Sequence, residues 1–245
     1  MTRQIAVVHE AEPDFMTATE LADRVIVEAI SWMNEDDIGP ARDWLAFTPD
    51  GLRLSWTGIE TLAHDAGIRV RGHFGNDPAE ADAKAGLRAI RYLRVIYPEL
   101  DAIVLIRDQD DQPERRQGLE QARAINHGGL PIVVGLAVVT REAWVLCGFD
   151  AEDELELARL KAVKARLGFD PCTRSHELTA HKDKTSKRSP KLALRELNAS
   201  DLDRERRCWV GVALPMLRDR GAGNGLADYL GDVRDRLVGL FGRPA

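Results

Sequence analysis

Two short runs of apolar, mostly β-branched residues stand far apart in this sequence, at residues 5–8 (Ile-Ala-Val-Val) and 103–106 (Ile-Val-Leu-Ile). Runs that are apolar at successive positions indicate strands buried on both faces, as parallel strands are in α/β proteins. Each run leads into an acidic cluster, His-Glu-Ala-Glu-Pro-Asp at residues 9–14 and Asp-Gln-Asp-Asp at residues 108–111. Open α/β sheets bind ligands beyond the carboxyl ends of their strands, so both clusters are candidates for a functional site.

Helical and apolar patterns alternate around these runs. We expect helices at residues 14–33, 77–97 and 112–127, and a third strand at residues 130–139. The first of these helices is expected to begin with Asp14 as its N-cap, because Asp favours that position. The alternation predicts an α/β fold, with a mostly parallel sheet and helices on both faces.

The other segments complete the predicted organisation. Residues 34–58 carry turn signals and are expected to be irregular, whereas residues 67–70 are expected to form a short strand. The pattern from about residue 150 onward is mainly helical, with helices expected at 152–167, 189–197, 201–219 and 224–241. We therefore predict an α/β domain at residues 1–149 and a mainly helical extension or cap at residues 150–245.

The acidic clusters have the composition of a site for a hard cation. Glu10, Asp108 and Asp110 follow two separate strands, and clustered carboxylates repel one another unless a cation lies between them. Oxygen ligands of this kind suit Mg²⁺, or Mn²⁺. Glu142 follows the third strand and is either a further metal ligand or a first-turn carboxylate favoured by the helix dipole.

The same residues resemble TOPRIM domains, a family that includes topoisomerases, DnaG-type primases and OLD-type nucleases. The segment 10–14 (Glu-Ala-Glu-Pro-Asp) is similar to the Glu-Gly-x-x-Asp segment of TOPRIM domains, and residues 108–110 are similar to their Asp-x-Asp segment. Residues 141–146 (Arg-Glu-Ala-Trp-Val-Leu) resemble a stretch typical of a bacterial TOPRIM-like family that is often encoded near ATPases. The resemblance covers about residues 4–148.

This resemblance implies a Mg²⁺-dependent phosphodiester hydrolase that acts on nucleic acid. We favour DNA over RNA as the substrate, a choice that the sequence itself does not make. The resemblance also implies a role in defence against phage, with an ATPase of the ABC or OLD type as the partner. OLD-type nucleases use a lysine near the metals, which makes Lys184, Lys187 and Lys191 candidates, and we carry Lys187 forward as the catalytic one.

A basic segment at residues 181–191 would contact nucleic acid in that case. Lysines and arginines neutralise backbone phosphates without reading sequence. The alternative is a solvated loop that precedes a helix. The candidate contacts are Lys182, Lys184, Lys187, Arg188 and Lys191.

Two other functions stay open. One is a binding or regulatory subunit on a degenerate TOPRIM scaffold, in which Arg107 neutralises a carboxylate in place of a metal. The other is a phosphatase or phosphotransferase acting on small phosphate esters. The sequence lacks a P-loop and a Gly-x-Ser-x-Gly elbow, which argues against ATP binding of that type and against that class of serine hydrolase.

Composition limits the environment of the protein. Three cysteines form no Cys-x-x-Cys pair, which disfavours a zinc site or a disulfide framework and favours a reduced, cytoplasmic location. No apolar stretch is long enough to span a membrane, and the N-terminus has no signal-peptide pattern. The net charge of −6 argues against general coating of nucleic acid but not against a local basic track. Homo-oligomers stay open.

Overall fold

The computed structural model describes residues 1–74, 77–126, 129–179 and 186–242. Its strands are β1 (Arg3–Val8), β2 (Arg42–Leu45), β3 (His73–Phe74), β4 (Asp77–Pro78), β5 (Ala102–Asp108) and β6 (Ile132–Ala137). Its α-helices are α1 (Glu12–Ala29), α2 (Glu35–Ala41), α3 (Trp56–Asp65), α4 (Ala83–Ile96), α5 (Arg115–Ala124), α6 (Arg141–Cys147), α7 (Glu154–Leu167), α8 (Pro190–Asn198), α9 (Leu202–Val210), α10 (Leu214–Arg220) and α11 (Leu226–Arg236).

The main sheet is parallel and has the strand order β2-β1-β5-β6. Helices flank it, and further helices follow toward the C-terminus, so the predicted α/β fold class is confirmed. The register pairs Val8 of β1 with Leu105 of β5. Both apolar runs that predicted these strands are buried, which places the core of the fold at the centre of the sheet.

The expectation that residues 34–58 are irregular is wrong. Asn34 caps α2, and β2 pairs in parallel with β1, with Arg42 opposite Arg3. Strand β2 lacks an apolar run because polar contacts hold it instead. Arg42 forms an ion pair of 2.6 Å with Asp23 on α1, and the Trp44 indole donates to the same carboxylate at 3.0 Å.

Several helix ends also differ from the sequence prediction. Helix α1 begins at Glu12 with Ala11 as its N-cap, and Asp14 lies in the first turn, where its carboxylate accepts the Ala11 N–H at 2.8 Å. Helix α4 begins at Ala83 rather than at residue 77, because Asp77 belongs to β4 and pairs with Phe74 of β3. The helix expected at residues 201–219 is two helices, α9 and α10.

The residues 67–70 form no strand: a turn at Ala66 and Gly67 leads into irregular backbone. The predicted helix at 224–241 is α11 followed by a 3₁₀ turn at Val238–Phe241. No described helix is both long enough and apolar enough to cross a membrane.

The chain divides into two compact units. The first unit comprises Met1–Arg107, Gln112–Gly135 and Gly231–Ala245, and the second comprises Asp108–Asp111 and Leu136–Leu230. In the second unit the buried Asn224 is a central anchor: its carbonyl oxygen accepts the Trp144 indole N–H at 2.9 Å, and its side-chain amide donates to Ala143 and Ser175. The domain boundary at residue 149 stays a prediction.

Candidate functional site at the ends of β1 and β5

The strand order places a topological switch between β1 and β5. From β1 the chain moves to β2 on one side of the sheet, then returns to β5 on the other side of β1 and continues to β6. Open α/β sheets bind ligands beyond the carboxyl ends of the strands at such a switch. Glu10 lies two residues beyond the last residue of β1, and Arg107 and Asp108 end β5. The sequence-predicted segments therefore follow the two strands that flank the switch.

His9, directly after β1, is a buried structural residue. Its backbone N–H donates to the Leu54 carbonyl and its own carbonyl accepts the Trp56 N–H. These bonds link the carboxyl end of β1 to the segment that begins α3. The ring nitrogen Nδ1 lies 3.2 Å from the Val7 carbonyl oxygen, and the ring packs against Phe15 with centroids 5.4 Å apart. Burial lowers the pKa of His9, which favours the neutral imidazole.

Arg107 is the centre of a charged cluster in the first unit. Its Nη1 lies 3.2 Å from Glu10 Oε1, and its Nε lies 2.9 Å from Asp82 Oδ2. Arg115 Nε also contacts Asp82 Oδ2, at 3.1 Å. The Arg107 guanidinium carbon stands 5.1 Å from the centroid of the Trp56 ring, within range of a cation–π contact. Two carboxylates and two guanidinium groups thus meet at this edge of the sheet.

Close packing of helices positions this cluster. Asp82, the N-cap of α4, has a φ of 63°. A Cβ atom on Gly118 of α5 would lie 1.7 Å from the Ala81 carbonyl oxygen, so only glycine lets α5 approach the turn that holds Asp82. The Trp56 indole donates to the Ile106 carbonyl at 2.5 Å and fixes the ring below Arg107. The sequence reasoning missed Asp82 and Arg115 as members of the site.

The second unit holds the other predicted carboxylates. Asp108 Oδ1 accepts the backbone N–H of Arg141, the first residue of α6, at 2.8 Å. Glu142 accepts the Thr140 hydroxyl at 2.6 Å, and Arg141 forms an ion pair of 2.7 Å with Glu205. Asp108 and Glu142 are thus both tied to the segment that begins α6.

The turn at residues 108–111 has an unusual backbone. Asp110 and Asp111 have φ values of 48° and 59°, in the left-handed region that Asp tolerates better than most residues. Backbone N–H groups of Gln109 and Asp110 donate to Ala137 and Val139 at 2.9 and 3.2 Å. Val139 itself has a φ of 73°, which is strained for a β-branched residue. Strain of this kind often accompanies a functional site, and here it shapes the turn that carries Asp110.

The described cations of the predicted basic segment are exposed. Lys187, Arg188 and Lys191 are exposed side chains, and the Arg188 guanidinium stands 5.7 Å from the Phe169 ring centroid. Lys191 lies in the first turn of α8, which Ser189 caps. Lys182 and Lys184 lie outside the described residues.

Within the described residues, no three or more His, Cys, Asp and Glu side chains form a group that could hold a metal ion. The predicted ligand set, Glu10, Asp108, Asp110 and Glu142, stays a prediction. Comparison with family models, with curated proteins and with solved structures found no match to this chain.

Proposed function

We propose that this protein is a Mg²⁺- or Mn²⁺-dependent nuclease that hydrolyses phosphodiester bonds. One observation carries the proposal: Glu10 follows β1 and Asp108 ends β5, two neighbouring parallel strands that flank the topological switch of the sheet. This is where α/β proteins bind ligands, and it supports the TOPRIM resemblance of the two acidic segments.

The carboxylates have the chemistry that such a cation needs. The donor set is all oxygen, and the backbone N–H of Arg141 orients Asp108, as hydrogen bonds commonly orient metal-ligating carboxylates. Asp110 is exposed on its turn. When bound, the cation would supply Lewis-acid stabilisation of the phosphoryl oxygens and lower the pKa of a bound water.

Each residue has a proposed role. Glu10, Asp108 and Asp110 would hold the cation, with Glu142 as a further ligand, and Lys187 would neutralise charge that develops on the phosphoryl group. Lys182, Lys184, Arg188 and Lys191 would contact the nucleic-acid backbone. An ATPase partner and a role in anti-phage defence are supported by the resemblance of residues 141–146 to the TOPRIM-like family encoded near ATPases.

One specific contact favours a second function, a non-catalytic binding or regulatory subunit. Arg107 lies 3.2 Å from Glu10, so a guanidinium already lies beside a carboxylate that the metal-binding role assigns to a cation. In a degenerate scaffold this ion pair would replace the metal permanently. Calorimetry with Mn²⁺ separates the two functions, because the scaffold would bind no metal at about millimolar concentration.

The nuclease is tested by nicking of supercoiled plasmid in Mg²⁺ or Mn²⁺. The double variant D108N/D110N removes two charges, while Asn keeps an acceptor for the Arg141 N–H and tolerates the positive φ of Asp110. We expect at least about a hundredfold loss of nicking, the scale on which removing a single stabilising group acts in other enzymes.

D111N is the matched control. Asp111 is exposed and also has a positive φ, but it lies outside the proposed ligand set. Its nicking rate should equal that of the wild type. Equal nicking by the wild type and D108N/D110N would refute the proposed site.

A further inference from the structure

A cationic surface lies in the first unit, on helix α4 and the segment that precedes β3. We call it the α4 basic face, and it consists of Arg69, Arg71, Lys84, Arg88, Arg91 and Arg94. All of these side chains are exposed except Arg88, which is half-buried. The face lies apart from residues 181–191, from which the sequence predicted nucleic-acid contacts.

Helical periodicity aligns the cations. Lys84, Arg88 and Arg91 follow one another at spacings of four and three residues, which puts them on one side of α4, and Arg94 follows one turn later. The opposite side of the helix is buried, including Leu87, Ile90 and Leu93 among its apolar residues. At about 1.5 Å per residue, the cations from 84 to 94 extend over about 15 Å.

The loop before β3 joins this row. Arg91 Nη1 donates to the Arg69 carbonyl at 2.9 Å. The Lys84 ammonium lies 3.3 Å from the position that a Cβ on Gly72 would occupy, next to Arg71 in the chain. Two shallow depressions of about 430 and 370 Å³ share Arg69; Arg88 lines the first, and Arg91 and Arg94 line the second.

The charge of this face is largely uncompensated. Arg88 pairs with Glu60. Across the described residues, the other five cations form no ion pair with a carboxylate: Arg69, Arg71, Lys84, Arg91 and Arg94. Cations three or four residues apart on one side of a helix repel one another. The described residues leave these cations without an ion pair although the net charge of the protein is −6. An external polyanion would relieve that repulsion.

We propose that the α4 basic face binds the sugar–phosphate backbone of duplex DNA. A duplex carries one negative charge per about 1.7 Å of axis, so about nine phosphate charges stand along 15 Å, enough to engage every cation of the row. The two depressions are lined by His64 but by no Phe, Tyr or Trp, so the face lacks the large aromatic side chains on which unpaired bases stack best. The choice of DNA over an acidic protein rests on the proposed nuclease function.

The candidate site and this face share helix α4. Asp82, the N-cap of the helix, contacts Arg107, and the row of cations starts two residues later at Lys84. DNA held on the face would therefore run along the helix that begins at the charged cluster around Arg107.

The test measures binding without cleavage. Fluorescence anisotropy of a labelled duplex in EDTA, over a range of salt concentrations, compares the wild type with R91Q/R94Q. Each lost phosphate contact removes about 0.9 from the slope of log K against log salt, so the slope should fall by about 1.8 and the affinity by about 60-fold near 0.1 M salt. K161Q/R234Q removes two exposed cations outside the face and should bind as the wild type does.

The outcomes separate this inference from the proposed function. Wild-type affinity and slope in R91Q/R94Q would overturn it, and so would loss of binding only in K187Q/R188Q/K191Q. A protein that binds DNA through α4 but never nicks plasmid would keep the inference and refute the nuclease. If the wild type nicks plasmid and R91Q/R94Q binds DNA as the wild type does, the nuclease stands and DNA binding by the α4 basic face is refuted.

Discussion

Glu10 and Arg107 form an ion pair of 3.2 Å across the ends of two neighbouring parallel strands. Arg107 is largely buried, with a side chain 16% exposed, and it also contacts Asp82 at 2.9 Å. The guanidinium therefore already neutralises the carboxylate that the sequence assigns to a metal. Whether a divalent cation competes with Arg107 for Glu10 decides between the two proposed functions.

The variant R107M tests this competition. Methionine keeps the apolar stem over Trp56 but removes the charge next to Glu10. If Glu10 binds metal, the loss of a partly exposed ion pair should tighten Mn²⁺ binding by about fivefold, equivalent to about 1 kcal/mol. Isothermal titration calorimetry measures the dissociation constant.

R234M is the control for this experiment, because Arg234 is an exposed arginine of α11 without an ion pair to Glu10. Its Mn²⁺ affinity should match that of the wild type. Unchanged or weaker binding in R107M would show that Glu10 is not a metal ligand.

Asp108 has a structural role that must be separated from catalysis. Its Oδ1 accepts the first N–H of α6 at 2.8 Å, as a capping side chain does. D108A should lower the free energy of unfolding by about 1 kcal/mol, whereas D108N, which keeps an acceptor oxygen, should lower it by less. Chemical denaturation followed by circular dichroism measures both.

Nicking assays on the same two variants complete this prediction. D108N and D108A should lose nicking equally, because each removes the charge. If activity instead follows stability, so that D108N nicks like the wild type, Asp108 acts only through the fold.

The central strands could be predicted from the sequence because burial on both faces leaves a continuous apolar run, as at residues 5–8 and 103–106. Strand β2 could not, since Arg42 and Trp44 are held by contacts to Asp23, which lies on α1 about twenty residues earlier in the chain. Long-range polar contacts leave no periodic pattern in the sequence from which a strand could be predicted.

The site shows the same division. Glu10 and Asp108 were found because each directly follows a recognisable strand. Asp82 was missed because its contact to Arg107 joins residues 25 positions apart, and because the helix predicted at residues 77–97 placed Asp82 inside the helix rather than at its N-cap. Gly118 offered a signal, a glycine inside a helix, but its partner, the backbone at Ala81, becomes visible only in the structure.

Gly118 should be intolerant of any side chain. The variant G118A would place a Cβ 1.7 Å from the Ala81 carbonyl oxygen, so backbone must shift, and we expect a loss of about 3 kcal/mol in the free energy of unfolding. The movement would also displace Asp82 from Arg107.

G231A is the matched control. Gly231 lies within α11, and a Cβ there would meet no atom within 4 Å. Alanine favours a helix interior by about 1 kcal/mol over glycine, so G231A should stabilise the protein. Equal effects of the two substitutions on the free energy of unfolding in urea would contradict the close packing of Gly118 against the Ala81 backbone.

The three cysteines should be unreactive in the folded protein. All are buried free thiols, and burial raises the pKa of Cys147 to about 11 and that of Cys208 to about 12, and it raises that of Cys172 as well. Because the thiolate is the reactive form, a disulfide reagent near pH 8 should label no cysteine before denaturation and three afterwards. Rapid labelling of the native protein would show that one of these positions opens to solvent.

His9 should make the stability of the protein depend on pH. Burial is the main cause that lowers its pKa from 6.5, with Arg53 acting in the same direction, while the Val7 carbonyl and Glu12 act to raise it. Between the lowered pKa and 6.5 the unfolded chain binds more protons than the folded one, so the free energy of unfolding rises with pH there. The stabilisation is complete above that interval and is lost as the pH falls through the lowered value.

Replacing His9 by Asn removes this titration, so the stability of H9N should change less steeply between about pH 5 and 7, by up to about 1.4 kcal/mol per pH unit. H64N, which replaces an exposed imidazole on α3, is the control and should follow the wild type. Urea denaturation at a series of pH values measures the slopes. Parallel curves for the wild type and H9N would show that protonation of His9 does not lower the free energy of unfolding. The buried contacts of His9 to Val7 and Phe15 argue against that outcome.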